Sequence, residues 1–199
     1  MPPLDFYFEF ASPYAYLASL RIDDIAARHG REVRWLPIML GAALKRNGTG
    51  PNVQQPLKGP YLLHDVPRSA RLQQVPLTLP PVLPMNSLAA SRTFWWLEES
   101  DPALAKRLAR AIFAGHWGEG RDMSTPELVA EVAGPLGIAR ERLLAAVQDP
   151  VIKEKLKAET ERSIERGVFG SPFVFVDGEP FWGNDRLDQV ERWLATGGW

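Results

Sequence analysis

The 199-residue chain contains no cysteine. This absence excludes disulfide bonds, thiolate ligands for a metal and a cysteine nucleophile, and it leaves the cellular compartment without a redox signature. The 3 histidines lie far apart in the sequence without metal-ligand spacing, so we expect no metal site. A Gly-x-Ser-x-Gly nucleophile elbow, a phosphate-binding loop and a dinucleotide fingerprint are also missing from the sequence.

The sequence has neither an excess of one charge nor a long apolar run. A net charge of -1 gives no general attraction to nucleic acid or to an anionic membrane, so neither is an expected partner. No stretch approaches the roughly 20 apolar residues that span a bilayer. The N-terminus carries Asp5 and Glu9 in place of the basic region of a secretory signal, so we expect a cytoplasmic protein.

The first pattern that is present predicts a strand, a tight turn and a helix. Residues 4–10 are rich in aromatic side chains, as in a strand buried within a sheet. Ser12 stands at the N-cap position and Pro13 at the first helical position, and the apolar spacing predicts a helix that continues to Gly30. An N-cap serine is most often only structural, but this hydroxyl also lies beside free amides that suit an anion. Residues 32–38 predict a second, parallel strand.

Glycine and proline recur between residues 41 and 80, which predicts loops around one short helix near Tyr61 to Leu72. The segment carries several basic residues against the single acid Asp65, which fits either a ligand-binding region or a solvated surface. The basic residues are Lys45, Arg46, Lys58, Arg68 and Arg71.

Only helices are predicted in the middle of the chain. Their expected starts are Asn86 or Ser87, Asp101, Ser124, Arg140 and Pro150. Glu127 follows Ser124 by the three residues that a capping box requires.

The C-terminal segment predicts a β-hairpin and a closing helix. Ser171-Pro172 precedes a strand at residues 173–176, in a position that suits a cis proline. Asp177-Gly178 is a strong hairpin turn signal, and Phe181-Trp182 begins the returning strand. Asn184 or Asp185 is expected to cap the last helix.

The order β-α-β, helices, β-β-α predicts an α/β protein, a thioredoxin-like core with an inserted all-helical domain. We expect residues 1–40 and 168–199 to form the core. Residues 41–167 are then the connecting loops and the inserted helical domain.

Four separated motifs resemble the 2-hydroxychromene-2-carboxylate isomerase family, which belongs with the kappa-class glutathione transferases and the DsbA-like thioredoxin-fold proteins. The resemblance runs from Leu4 to Leu194. It identifies the superfamily more specifically than it distinguishes an isomerase from a transferase. The motifs are Phe10–Tyr14, Trp117–Gly120, Val168–Pro172 and Trp182–Leu187.

The resemblance implies glutathione as the cofactor and Ser12 as the catalytic residue. Disulfide oxidoreductases of this fold carry their attacking cysteine at this turn, whereas in the isomerase and kappa families a serine stands there and the thiol arrives with glutathione. A hydroxyl donor and a helix N-terminus both stabilise a thiolate and lower the pKa of its thiol.

The cofactor-binding residues are likewise implied by matching positions. Pro172 corresponds to the family's cis proline, and Ser171 pairs through its backbone with the cysteinyl unit. Asn184 and Asp185 correspond to the residues that hold the γ-glutamyl end, and Lys58 to a lysine that contacts the tripeptide.

An active-site asparagine of the family is best matched by Asn52, with Asn47 as the alternative. Substrate binding through a carboxylate or a developing enolate is assigned to Asn52, Lys58 and Arg186.

The implied activity is glutathione-dependent cis-trans isomerisation between 2-hydroxychromene-2-carboxylate and trans-o-hydroxybenzylidenepyruvate, by thiolate addition, bond rotation and elimination. The substrate is then a small aromatic carboxylate from aromatic hydrocarbon catabolism, and the protein a homodimer. Two alternatives remain open: a kappa-like glutathione transferase, and a non-catalytic thioredoxin-fold protein that binds a peptide at the Pro172 turn.

Overall fold

A computed structural model describes all 199 residues and contains one mixed sheet of four strands. The strands are β1 (Leu4–Phe8), β2 (Val33–Pro37), β3 (Phe173–Val176) and β4 (Glu179–Trp182), in the order β2-β1-β3-β4. β1 runs parallel to β2 and antiparallel to β3, and β4 is antiparallel to β3. Every residue of β1 is buried, which requires that both faces of the sheet be covered.

Ten α-helices surround or follow the strands: α1 (Pro13–Ser19), α2 (Ile22–Arg28), α3 (Leu40–Arg46), α4 (Lys58–Gln73), α5 (Leu88–Glu98), α6 (Pro102–Phe113), α7 (Pro126–Ala133), α8 (Arg140–Gln148), α9 (Pro150–Glu165) and α10 (Leu187–Thr196). Short 3-10 turns cover Asn52–Gln54, Gly134–Leu136 and Asn184–Arg186, and a π-helical turn covers Ala114–Gly118. No helix has the length and apolar character needed to cross a bilayer.

The single helix predicted between Ser12 and Gly30 is wrong, because the segment forms α1 and α2 with a break at Leu20 and Arg21. Leu17 and Ile22 are both fully buried. On one straight helix these two side chains would point about 140° apart, since successive residues rotate by about 100°. The break lets both helices turn an apolar face to the core.

Two helices occupy the segment predicted as loops around one short helix. α3 was not predicted, and α4 begins three residues before the expected Tyr61. Gly41 and Pro60 both lie in first turns, where backbone amides lack helical partners in any case, so neither residue prevents helix formation.

Two predicted caps are wrong, although the helices that they were to start do form. Thr125, rather than Ser124, caps α7 by accepting the Leu128 N–H at 3.4 Å, so the capping box does not form. Asn184 and Asp185 belong to a 3-10 turn that precedes α10, and Arg186 is the residue at its N-cap.

The C-terminal hairpin is confirmed, but the returning strand begins at Glu179, directly after the turn, and Phe181-Trp182 are its last two residues and not its start. Asp177 and Gly178 have φ values of 52° and 95°, which a type I′ turn between two strands requires. β3 and β4 pair from Val176 and Glu179 outward.

One apolar core joins the sheet to the helices. Phe8 of β1 packs against Phe94 of α5 and Phe113 of α6, with ring centroids 6.0 and 5.5 Å apart. Trp95 of α5 donates its indole N–H to the carbonyl of Pro37 at 3.0 Å, at the end of β2. The predicted element order is thus observed, with a helical insertion packed on the sheet, while the proposed domain limits at 41 and 167 stay predictions.

Candidate active site

The turn after β1 fixes the hydroxyl of Ser12 at the start of α1. Ser12 has an extended backbone, and its Oγ accepts the Ala15 N–H at 3.2 Å while Pro13 occupies the first helical position. This confirms the predicted N-cap. Because α1 has only seven residues, its attraction for negative charge comes mainly from the unpaired amides of its first turn.

A second turn, before β3, lies against this one. The Ser171-Pro172 peptide bond is cis. The Ser12 hydroxyl donates to the Ser171 carbonyl oxygen at 2.9 Å, and the Ser171 hydroxyl oxygen accepts the Glu9 N–H at 2.8 Å. Two hydrogen bonds therefore hold the Ser12 turn and the Ser171 turn in one arrangement.

The turn after β4 forms the next part of the site. Gly183 has a φ of 111°, and a Cβ at this position would come within 2.4 Å of Asp185 Oδ1, so only glycine fits. Its N–H donates to the Pro172 carbonyl at 3.0 Å. Asn184 is buried, and its Oδ1 has no hydrogen-bond partner. Asp185 is exposed and pairs with Arg186 at 2.7 Å.

The opposite wall comes from the segment around α4. Lys58 is the first residue of α4, is exposed, and forms no ion pair within the protein. Asn52 lies in the preceding 3-10 turn and Asn47 at the C-cap of α3, and both are exposed. Asn47 and Asn52 both line the cavity, so either could be the active-site asparagine that the resemblance implies.

These segments enclose one cavity of about 920 Å³. All the residues that the sequence nominated line it, although they come from four separate parts of the chain. They are Ser12, Asn47, Asn52, Lys58, Ser171, Pro172, Asn184, Asp185 and Arg186.

Sequence reasoning missed a polar cluster in the cavity wall that joins α1 to α4. Tyr14 donates its phenol to Asp65 at 2.6 Å. Partial burial and this hydrogen bond raise the pKa of Tyr14, so the phenol stays protonated. Partial burial opposes ionisation of Asp65, but hydrogen bonds from Tyr14 and Arg68 outweigh it and lower the pKa of that carboxyl. Asp65 was noted only as the single acid of its segment.

Glu9 was also missed as a site residue. It lines the cavity, is 6% exposed, and burial raises the pKa of its carboxyl. It was noted in the sequence only as an acid near the N-terminus, and nothing in the local pattern distinguishes it from a solvent-facing acid.

Comparison with known proteins agrees with this geometry. Residues 3–195 match the family model of the DsbA-like thioredoxin domain. The chain is 31% identical to the 2-hydroxychromene-2-carboxylate isomerase of Sphingobium xenophagum, over 96% of this chain and 97% of that protein. The chain belongs to the 2-hydroxychromene-2-carboxylate isomerase family.

Two further relatives place this isomerase in its superfamily. A solved structure of 2-hydroxychromene-2-carboxylate isomerase superposes with a TM-score of 0.87 at 33% identity, covering 96% of this chain and 94% of that one. The chain is 26% identical to glutathione S-transferase kappa 1 of Caenorhabditis elegans, over 96% of this chain and 89% of that protein. The isomerase thus has the DsbA-like thioredoxin fold, with serine at the turn and no cysteine.

Proposed function

We propose that this enzyme is a glutathione-dependent cis-trans isomerase that interconverts 2-hydroxychromene-2-carboxylate and trans-o-hydroxybenzylidenepyruvate. The observation that carries the proposal is the Ser12 hydroxyl, which lines a large cavity beside the Ser171 carbonyl in a chain without any thiol of its own. Membership of the isomerase family supports the reaction class.

The cavity has unmet polar capacity that suits glutathione. The buried Asn184 Oδ1 lacks a donor, and an unpaired buried acceptor is costly unless a ligand completes its hydrogen bonding. Lys58 is an ammonium without an internal partner, and it suits a carboxylate. The volume lies toward the upper end of the roughly 300–1,000 Å³ range typical of small-molecule sites. We assign Asn184 and Asp185 to the γ-glutamyl end, and Ser171, Pro172 and Lys58 to the rest of the tripeptide.

Bound glutathione supplies a thiolate that adds to the double bond of the open substrate and leaves after the bond has rotated. Ser12 acts as the hydrogen-bond donor to that sulfur. The Ser12 Oγ accepts the Ala15 N–H, and this bond does not use the hydroxyl proton. That proton can therefore turn from the Ser171 carbonyl toward the sulfur. The Ser171 carbonyl is then available to a backbone N–H of the tripeptide.

We assign the binding of the substrate's negatively charged groups mainly to the α4 side of the cavity. Lys58, which also borders the tripeptide, is assigned to the substrate carboxylate together with Arg186, whose guanidinium already pairs with Asp185 at 2.7 Å. Asn52, or Asn47 in its place, supplies a neutral donor for the developing enolate oxygen.

The direct test follows the absorbance of each purified isomer mixed with the protein, with and without glutathione. Glutathione-dependent approach to one equilibrium mixture from both isomers is the expected result. Absence of any change, with glutathione binding verified by calorimetry, would reject this substrate pair.

A kappa-like glutathione transferase activity is the second candidate, and the likeness to a kappa-class enzyme favours it. A transferase releases a product that remains covalently attached to glutathione. Mass spectrometry after incubation with 1-chloro-2,4-dinitrobenzene and glutathione separates the two, because an isomerase leaves the glutathione pool unchanged.

We further propose a role in aromatic hydrocarbon catabolism, a homodimeric state and a cytoplasmic location. Light scattering of the purified protein measures the oligomeric state, and cell fractionation tests the cytoplasmic location. A monomer or a membrane-pelleted protein would contradict them.

A further inference from the structure

Glu9 is a buried carboxyl in the cavity wall to which the proposed mechanism gives no task. Its Oε2 accepts the Leu40 N–H at 3.0 Å, and its Oε1 accepts the Ala11 N–H at 3.5 Å. No cation pairs with it. A buried acid without a counterion costs stability, so its presence in the wall of a cavity points to a task in the chemistry.

The other carboxyl groups that line the cavity each have a cationic partner, unlike Glu9. Asp65 is held by Tyr14 and Arg68, and Asp185 pairs with Arg186. The groups that hydrogen-bond to the buried carboxyl are neutral backbone amides, one from the turn before α1 and one from the first residue of α3. The other ionisable residues that line the cavity are Tyr14, Lys58, Tyr61, Asp65, Asp185 and Arg186.

The proposed reaction contains one step that moves a proton within the substrate. The cyclic isomer is a hemiketal, in which one carbon bears both a hydroxyl and the ring oxygen. Rotation about the former double bond begins and ends with the same protons on the substrate. Ring opening instead transfers the hydroxyl proton to the aromatic oxygen, and such a transfer is faster with a positioned acid-base group.

We propose, on the basis of the function proposed above, that Glu9 is the proton carrier for opening and closing the substrate ring. The ionised carboxylate takes the hydroxyl proton, and a C=O bond forms at the hemiketal carbon. The bond from that carbon to the ring oxygen breaks, and its electron pair goes to the aromatic oxygen. Glu9 then returns the proton to that oxygen, so that no proton or electron is consumed.

The position of Glu9 suits this task. It immediately follows β1, and its carbonyl accepts the Ser12 N–H at 2.9 Å, so the carboxyl and the Ser12 hydroxyl belong to one rigid turn. Its N–H is fixed by Ser171 Oγ at 2.8 Å. The carboxyl itself is held in the cavity wall by the Leu40 N–H, which donates to its Oε2 at 3.0 Å.

The test compares Glu9→Gln with Glu165→Gln, a control at an exposed residue of α9. Glutamine keeps one oxygen that accepts the Leu40 N–H, so the shorter of the two backbone hydrogen bonds is retained while the proton carrier is lost. With the cyclic isomer and saturating glutathione, we expect Glu9→Gln to lower kcat on the order of 100-fold or more, as for other acid-base groups. Glutathione affinity by calorimetry and the Glu165→Gln rates should match the wild type.

The pH profile of kcat gives a readout that a purely structural role would not move. Opening needs the ionised carboxylate, so wild-type kcat should fall as the pH drops through a value above the ordinary glutamate range. That limb should be absent from Glu9→Gln, whereas the limb due to the glutathione thiol remains.

The outcomes separate this step from the proposed function. An active wild type with an unaffected Glu9→Gln variant would overturn the proton-carrier role alone. A folded wild type that fails to isomerise with glutathione would overturn the proposed function and this step with it. If Glu9→Gln does not fold, the wild-type pH profile of kcat decides, and a profile with no ionisation limb besides that of the glutathione thiol overturns the role.

Discussion

The hydroxyl of Ser12 donates to the carbonyl oxygen of Ser171 at 2.9 Å across 159 positions of sequence. This bond joins the turn that ends β1 to the cis-proline turn that precedes β3. In the structure without ligand, the Ser12 hydroxyl, which is assigned to the glutathione sulfur, therefore donates to the Ser171 carbonyl, which is assigned to the tripeptide backbone. Ligand binding is expected to exchange one hydrogen bond for two.

Replacing Ser12 by alanine should therefore lower turnover more than it lowers glutathione affinity. The variant loses the donor to the sulfur, and we expect a fall in kcat on the order of 100-fold, as for other donors to a developing anion. It also loses an N-cap, which costs about 1 kcal/mol of folding stability. Thr125→Ala removes a different N-cap, on α7, and controls for that loss. Equal effects of both variants on kcat would contradict the role of Ser12.

Asn184→Ala should weaken glutathione binding with little effect on folding. The Oδ1 of Asn184 makes no internal hydrogen bond, so its removal breaks none in the ligand-free protein. Loss of one buried hydrogen bond to the ligand is worth about 1–3 kcal/mol, or roughly a 5- to 150-fold increase in Kd. Calorimetry measures the affinity and thermal unfolding the stability. Unchanged affinity would remove Asn184 from the cofactor site.

The choice between Asn52 and Asn47 is open to a matched pair of alanine variants. Both residues are exposed and line the cavity, so neither substitution is expected to impair folding. We expect Asn52→Ala to raise KM or lower kcat about tenfold, the effect of one lost hydrogen bond to a charged group, and Asn47→Ala to leave both unchanged. The reverse pattern would move the assignment to Asn47.

Stability should fall as the pH drops below about 6.5, the pKa of an ordinary histidine, because of His116. Burial lowers the pKa of His116 in the folded protein. The unfolded chain then binds a proton more readily than the folded chain, so acid favours unfolding; above this pH both states are neutral and the penalty vanishes.

Urea unfolding at pH 7.5 and pH 5.5 measures this dependence. His116→Gln should reduce the difference in unfolding free energy between the two pH values. His64→Gln, at an exposed position of α4, should retain it. An unchanged pH dependence in His116→Gln would contradict the prediction.

The two ends of the fold were predictable from short-range patterns. The aromatic run of β1, the Ser12 cap and the Asp177-Gly178 turn depend on interactions between residues close in sequence, so their chemistry is visible without tertiary contacts. The break between α1 and α2 was not visible. It follows from the need to bury both Leu17 and Ile22 against a core that other segments supply.

The candidate site was predicted in part. Ser12, Lys58 and Asn184 were nominated through the resemblance of four motifs, and the structure brings their segments to one cavity, while their roles remain proposals. Glu9 was not predicted as a site residue, because the sequence pattern of an acid next to a strand does not show whether its side chain faces solvent or a cavity.

The sequence by itself excluded thiol chemistry by the chain's own side chains, since it has no cysteine. It also determined the order of the strands and the helical character of the segment between β2 and β3. Only the tertiary structure decided which polar groups are buried together. The Ser12–Ser171 bond, the unpaired Asn184 Oδ1 and the enclosed Glu9 carboxyl all depend on segments remote in sequence. The physical reason is that desolvation and hydrogen-bond partners are set by the packing of distant elements and not by neighbours along the chain.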